Sequence, residues 1–276
     1  TGQATEEQRP TAPGQPADLN DRLTNGPKER CWATRDARNG DNGRTIAAAI
    51  EAGVAIGISD GSYAEATGQL AAAYRITTDQ TALRISISQE AEIEGDCNVP
   101  GTKEDNDSTR GELGGIYGIV ATIEQVVEEH NVSGGAITIG CDNESSLWMT
   151  MEENYKVSPD TPHFDLVSAI RRKIAGLPIR FIPRWIESHQ DDHARRATLD
   201  QGAQINMDVD VLAKRRRRKE EEQRTPIRPD KIEGELWPIQ VNGQKVISRA
   251  RAKIINHCKT VRAERYWSQK RSRQRG

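Results

Sequence analysis

Four acidic residues are spaced along this chain as metal ligands would be: Asp60, Glu112, Asp142 and Asp210. Asp60 ends an apolar run, Val54–Ser59, and is followed by Gly61-Ser62; Asp142 ends a second run, Ala136–Cys141. Glu112 stands near the start of a long helical pattern and Asp210 inside a late one. Scattered surface carboxylates would not be expected to alternate with elements in this way. A phosphodiester attacked in line by water builds charge on both the attacking and the leaving oxygen, and two Mg²⁺ ions about 3.5–4 Å apart stabilise both. Magnesium takes oxygen ligands and keeps several waters, so a few convergent carboxylates suffice. Crowded together without metal, the same carboxylates would repel and at least one pKa would rise. The pattern points to metal-assisted cleavage of phosphodiester bonds.

Each residue alone has a plainer explanation. Asp60-Gly61 after an apolar run is a turn pair. Asp142-Asn143 ahead of a helix reads as an N-cap. Glu112 in a first turn is favoured by the helix dipole, and Asp210 could be a solvated charge like its neighbour Asp208. The set, each member in its expected place, is what carries the reading.

The elements that must position these groups are legible in outline. Val54–Ser59, Gly68–Thr77 and the alternating Ala82–Ser88 read as three strands joined by short turns, an antiparallel meander. An acidic loop spans Glu90–Asp107. A helix follows over Thr109–His130, with an apolar stripe of Leu113, Ile116, Ile119 or Val120, Ile123 and Val127. Then come a buried strand at Ala136–Cys141, helices over Asn143–Asn154 and His163–Ala175, and a strand at Ile179–Ile186. A polar loop from Glu187 to Gly202 leads into a closing helix near Gln204. Strands followed by alternating helices and strands make a mixed α/β sheet with helices on its faces.

Hydrophobic content is 35% and charged content 29%, and the apolar periodicity is concentrated between residues 51 and 214. The net charge of −2 conceals an asymmetry: from Lys214 onward there are 20 Lys and Arg against 7 Asp and Glu, leaving about −15 for the rest. An acidic body with a basic tail suits contact with a polyanion. Cys31, Cys97, Cys141 and Cys258 form no C-x-x-C pair, so neither zinc nor a disulfide framework is indicated. Cys141, after an apolar run, reads as a small buried hydrophobe. There is no apolar run of about 18 residues and no signal-peptide pattern. An intracellular setting without membrane association is expected, in cytoplasm or nucleus, the Arg215–Lys219 run being a candidate nuclear signal.

As a set, these motifs resemble ribonuclease H of the type 1 and retroelement kind. The resemblance rests on Asp60-Gly61-Ser62, Glu112, Asp142, a Trp-x-x-x-His segment (Trp185 to His189) and Asn206-x-x-x-Asp210-x-Leu212-Ala213. It covers roughly residues 54–214. It implies an RNase H-like mixed five-stranded sheet, three antiparallel strands and then parallel ones, flanked by helices. It also implies hydrolysis of the RNA strand of RNA–DNA hybrids with two Mg²⁺ ions, for which Mn²⁺ could substitute. Asp60, Glu112, Asp142 and Asp210 would be the ligands. Ser62 would lie beside the scissile strand, with Asn143 and Asn206 near the substrate backbone. His189, in a mobile loop, would assist proton transfer or release of product and metal, a task suited to its near-neutral pKa. The long loops, and the Ser188-His189-Gln190-Asp191-Asp192 segment, resemble retroelement polyproteins in which a reverse transcriptase domain is a neighbour.

Some relatives carry a basic helix between the two helices after the fourth strand; here Tyr155–Pro162, with a single Lys, separates them. Positive charge must come instead from Lys214–Lys219 and from the tail Arg249–Arg275, where Tyr266-Trp267 could stack. The acidic loop would repel nucleic acid and is expected to point away. The expected organisation is a poorly structured lead over 1–50, an RNase H-like domain over 51–219, and a linker with a basic module over 220–276. The module contains an Asn242-Gly243 hairpin signal and a helical stretch over Ile247–Trp267. Two alternatives stand beside the nuclease: a catalytically silent scaffold that binds nucleic acid, or another two-metal nuclease on the same fold.

Overall fold

The computed structural model describes residues 18–80, 88, 91–188, 190, 193–236 and 238–274. Its centre is a five-stranded sheet in the order β3-β2-β1-β4-β5. The strands are β1 (Ala55–Tyr63), β2 (Leu70–Thr78), β3 (Ile93–Asn98), β4 (Ala136–Cys141) and β5 (Arg180–Trp185). β1 pairs antiparallel with β2, and β2 with β3; β4 runs parallel to both β1 and β5. This is the RNase H-like sheet that the sequence motifs imply. Pro183 lies on β5, an edge strand, where proline is tolerated.

Before the sheet come α1 (Leu19–Asn25), α2 (Lys28–Thr34) and α3 (Arg44–Glu51). The sheet is then flanked by α4 (Ser108–His130), α5 (Glu144–Met151), α6 (Phe164–Gly176) and α7 (Gln201–Glu222). α4 lies on one face of β1 and β2, and α7 on the other. The alternation along β1 decides which residue meets which helix. Ile56 and Ile58 face α7, packing with Ile205, Val209 and Ala213. Gly57 and Ser59 face α4, against Ile119 and Gly115.

Three expectations need correction. The lead is not poorly structured from Asp18 onward: Leu19 and Leu23 are buried in the core, and Trp32 stacks on Tyr117 of α4 at 4.9 Å. The apolar stripe foreseen on α4 is therefore too narrow, since helices cover its outer side and Tyr117, Ala121 and Val126, which lie outside that stripe, are all buried. The third described strand is Ile93–Asn98, inside the segment read as an acidic loop, while residues 82–87 of the expected strand lie outside the described residues. Ile93, Gly95 and Cys97 face inward, and the intervening acids meet cations: Glu94 pairs with Arg75 at 2.6 Å, Asp96 with Arg216 at 2.9 Å.

The C-terminal segment folds back onto the domain. Ile232 and Ile247 are buried, and a hairpin of β6 (Gln240–Val241) and β7 (Gln244–Lys245) turns through Asn242 and Gly243, both at positive φ. Lys245 reaches Asp165 (3.1 Å) and Glu235 (2.6 Å), completing a buried cluster with Arg110, whose guanidinium grips Asp165 through two bonds of 2.9 and 3.0 Å. Such a cluster is tolerable because every charge meets an opposite one. The last element is α8 (Ala250–Gln274). Among the described residues no helix is long and apolar enough to cross a membrane.

Candidate metal centre

The pairing of β1 with β4 dictates where two of the carboxylates go. Ile58 stands opposite Gly140 in a parallel register, so continuing the ladder brings Asp60 level with Asp142. β1 does not turn at Asp60-Gly61, as the dipeptide suggests, but continues to Tyr63. Gly61 is required for a different reason. A Cβ there would lie 2.5 Å from the carbonyl carbon of Gly111 and 2.6 Å from the amide nitrogen of Glu112. α4 thus touches β1 backbone to backbone, and the Gly61 N–H donates to Glu112 Oε1 at 3.0 Å. Glycine's lack of a side chain is what lets the helix deliver Glu112 to the strand.

Asp60 alternates to the opposite face, shared with Ile56 and Ile58, where α7 brings Asp210 into hydrogen-bonding contact with it. Asp60 also shares a hydrogen bond with Glu112. A carboxyl group can bond to another only by keeping a proton, and the surroundings enforce this. Burial, then the charges of Glu112 and Asp142, push Asp60 up to about 10. Burial and Asp142 likewise push Glu112 up to about 7. Asp210, less enclosed, is bridged by Lys214 one turn on at 2.8 Å.

Asp142 leaves β4 held by its own backbone: its carbonyl oxygen accepts from Trp185 Nε1 at 3.0 Å. Asn143 rather than Asp142 takes the N-cap of α5, accepting from the Ser146 N–H at 3.0 Å. The Asp142 carboxylate is spared that task. Ligand atoms of Glu112, Cys141 and Asp142 lie within 4.8 Å of one another.

The other residues singled out in the sequence are distributed as follows. Ser62 is buried and its Oγ accepts from Arg217 Nε at 3.0 Å. Asn206, one turn before Asp210, is buried, and its Oδ1 has no hydrogen-bond partner among the described residues. His189 lies outside the described residues, as do Asp191 and Asp192.

Two residues escaped the sequence reading. Cys141 is buried, but its thiol donates to Glu112 Oε2 at 3.4 Å. Burial and Glu112 raise its pKa well above the usual thiol value, so it stays a neutral donor. The other is Arg217, hidden in a basic run that suggested free charge for phosphates. That run is partly consumed within the fold: Arg216 is tied to Asp36 (2.6 Å), Asp96 (2.9 Å) and Glu220 (2.7 Å). Only the tertiary structure could reveal either role, since their partners are distant in sequence.

The donor set fits a hard divalent cation. It consists of carboxylate oxygens, those of Asp60 and Glu112 pushed towards the protonated form that a cation would displace, beside an orphaned amide oxygen on Asn206.

No protein-family model matches the chain, and no curated protein matches it. Among solved structures it is similar to an N-terminal RNase H domain from Mycobacterium tuberculosis, solved as a fusion with maltose-binding protein. The two share 12% identity with a TM-score of 0.34, over 59% of this chain and 96% of that one. The fold is identified by its own sheet: RNase H-like, five strands, two antiparallel pairings followed by two parallel ones.

Proposed function

We propose that this chain is a divalent-metal-dependent ribonuclease that hydrolyses the RNA strand of RNA–DNA hybrids, leaving 3′-hydroxyl and 5′-phosphate ends. One observation carries the reading: carboxylates from four separate elements meet at the ends of β1 and β4, close enough that burial and mutual repulsion push Asp60 and Glu112 upward. A fold that only needed stability would not gather them, because each buried like charge costs free energy. Asp60, Glu112, Asp142 and Asp210 are the ligands in this reading. Two Mg²⁺ ions, or Mn²⁺, would supply charge neutralisation for the attacking and leaving oxygens.

The chain's own groups do the rest. Gly61 N–H and the Cys141 thiol fix both oxygens of Glu112. The Trp185 indole holds the backbone that presents Asp142. Ser62, accepting from Arg217, keeps its own proton free to donate to the substrate backbone. Asn143 uses its carbonyl oxygen in the cap and retains its amide N–H groups for the same strand, and Asn206 sits beside Asp210 with a carbonyl oxygen to spare. His189 would move a proton in the loop. A retroelement polyprotein with a neighbouring reverse transcriptase domain is the proposed context.

One feature favours the silent scaffold: Lys214 already gives Asp210 a cation at 2.8 Å. The discriminating experiment is cleavage of a labelled RNA–DNA hybrid in Mg²⁺ or Mn²⁺, compared with EDTA and with Asp142→Asn. RNA cleavage that needs metal and disappears in the variant is expected. A folded protein that cuts nothing under either metal would point to the scaffold, and cleavage of duplex DNA in preference to the hybrid would point to another nuclease.

A further inference from the structure

α8 is unlike every other element. Only its beginning is docked: Ala250 is buried and its N–H donates to Pro159 O at 3.2 Å, the Arg251 N–H donates to Asp160 Oδ1 at 2.9 Å, and Lys253 pairs with Asp105. From Ile254 to Arg271 every side chain is exposed except His257, which is partly so. The helix has eight Lys and Arg and a single acid, Glu264, a formal +7. The chain's −2 less this +7 leaves −9 for everything else. An acidic body could have absorbed that charge, as it absorbs Arg216. It does not: among the described side chains of α8, Lys253 alone forms an ion pair. Exposed aromatic residues stand among the cations, with Lys270 Nζ 5.2 Å above the Trp267 ring and Tyr266 beside it. A 25-residue helix extends about 37 Å, roughly one turn of a nucleic-acid duplex.

We infer that α8 is a nucleic-acid-binding arm that contacts the phosphate backbone of a duplex. The inference goes beyond the nuclease reading and does not depend on it. Charge complementarity commits the occupant. A bilayer surface would require the apolar residues to share one face, whereas Ile254 and Trp267 lie about 140° apart around the axis. The anchorage places the root of this basic helix beside the loop between α5 and α6. Pro159 and Asp160 belong to that loop, and Asp105 precedes the end of α4 that carries Glu112.

The test uses the full chain carrying Lys259→Gln, Arg262→Gln, Arg265→Gln and Lys270→Gln, all at exposed positions. Binding to a labelled RNA–DNA hybrid is followed by fluorescence anisotropy in EDTA, so that no cleavage intervenes. Salt is varied between about 50 and 200 mM. Unaltered melting, an affinity loss of about 100-fold, and a log–log salt slope shallower by about 3–4 are expected, each lost phosphate contact removing about 0.9. Unchanged affinity and slope would overturn the inference. So would loss of binding only to phosphatidylserine vesicles, which would make the arm a membrane contact. A protein that binds through α8 but never cleaves would refute the nuclease reading and leave the arm standing.

Discussion

Replacing Asp60 with Asn should make the metal-free protein more stable while destroying its response to metal. With Asp60 pushed up to about 10 and Glu112 to about 7, the folded site at pH 8 keeps at least one proton. The unfolded chain, its Asp side chains near 3.9, has released that proton. A group whose folded pKa is raised stabilises most at low pH, and that stability is lost as pH climbs from the unfolded value towards the folded one. Each pH unit is worth about 1.4 kcal/mol, so at pH 8 the ceiling is about 6 kcal/mol. Asp210, with 31% of its side chain exposed, can turn towards solvent, which brings the expected cost to about 2–4 kcal/mol. An Asn carboxamide reproduces the protonated carboxyl: its oxygen still accepts from the Gly61 N–H, and its NH₂ donates to Glu112 or Asp210. Urea unfolding between pH 5 and 9 in EDTA tests this. Wild-type stability should decline across that range, and the variant should be flatter and more stable at pH 8. Adding Mg²⁺ at ten times its Kd should restore about 1.4 kcal/mol to wild type and nothing to the variant. A wild-type profile that stays flat in EDTA, or a variant less stable than wild type at pH 8, would refute the electrostatic account of the site.

Gly61→Ala places a methyl 2.5 Å from the Gly111 carbonyl carbon, a clash with backbone that no rotamer relieves. A stability loss of about 2–3 kcal/mol is expected, with about 100-fold slower cleavage from the displaced Glu112, whereas Gly134→Ala, with nothing within 4 Å, should be neutral; equal melting of the two variants would contradict the close approach. Arg110→Met leaves Asp165 buried with only Lys245 as cation, and a loss of about 3–5 kcal/mol in chemical denaturation is expected. A loss under about 1 kcal/mol would mean that Lys245 alone satisfies the carboxylate.

What the sequence discloses here follows from how local its signals are. β1, β4 and the placement of the four carboxylates are visible because an apolar run ending in an acid is a contiguous pattern. β3 is hidden because Ile93-Glu94-Gly95-Asp96-Cys97 reads as acidic, and the cations that make it a strand, Arg75 and Arg216, come from β2 and α7. α1 and α2 are hidden because each buries few residues, and their worth lies in covering α4, some 80 residues later. Asn143 as cap, rather than Asp142, could not be chosen from the dipeptide alone, since both side chains can accept from a free N–H.

The segment that folds back across α4 also sets an order of events during synthesis. The whole sheet and α7 have emerged by Glu222, yet Ile232, Glu235 and Lys245, which seal Asp165 and the outer side of α4, come later. Until then the nascent domain exposes apolar surface and a lone Arg110–Asp165 pair, the kind of intermediate that aggregates or engages chaperones. Release of a finished, protected domain therefore waits on residues well past its last site carboxylate. Synthesis interrupted between Glu222 and Lys245 would leave all four site carboxylates present in a protein still unable to close.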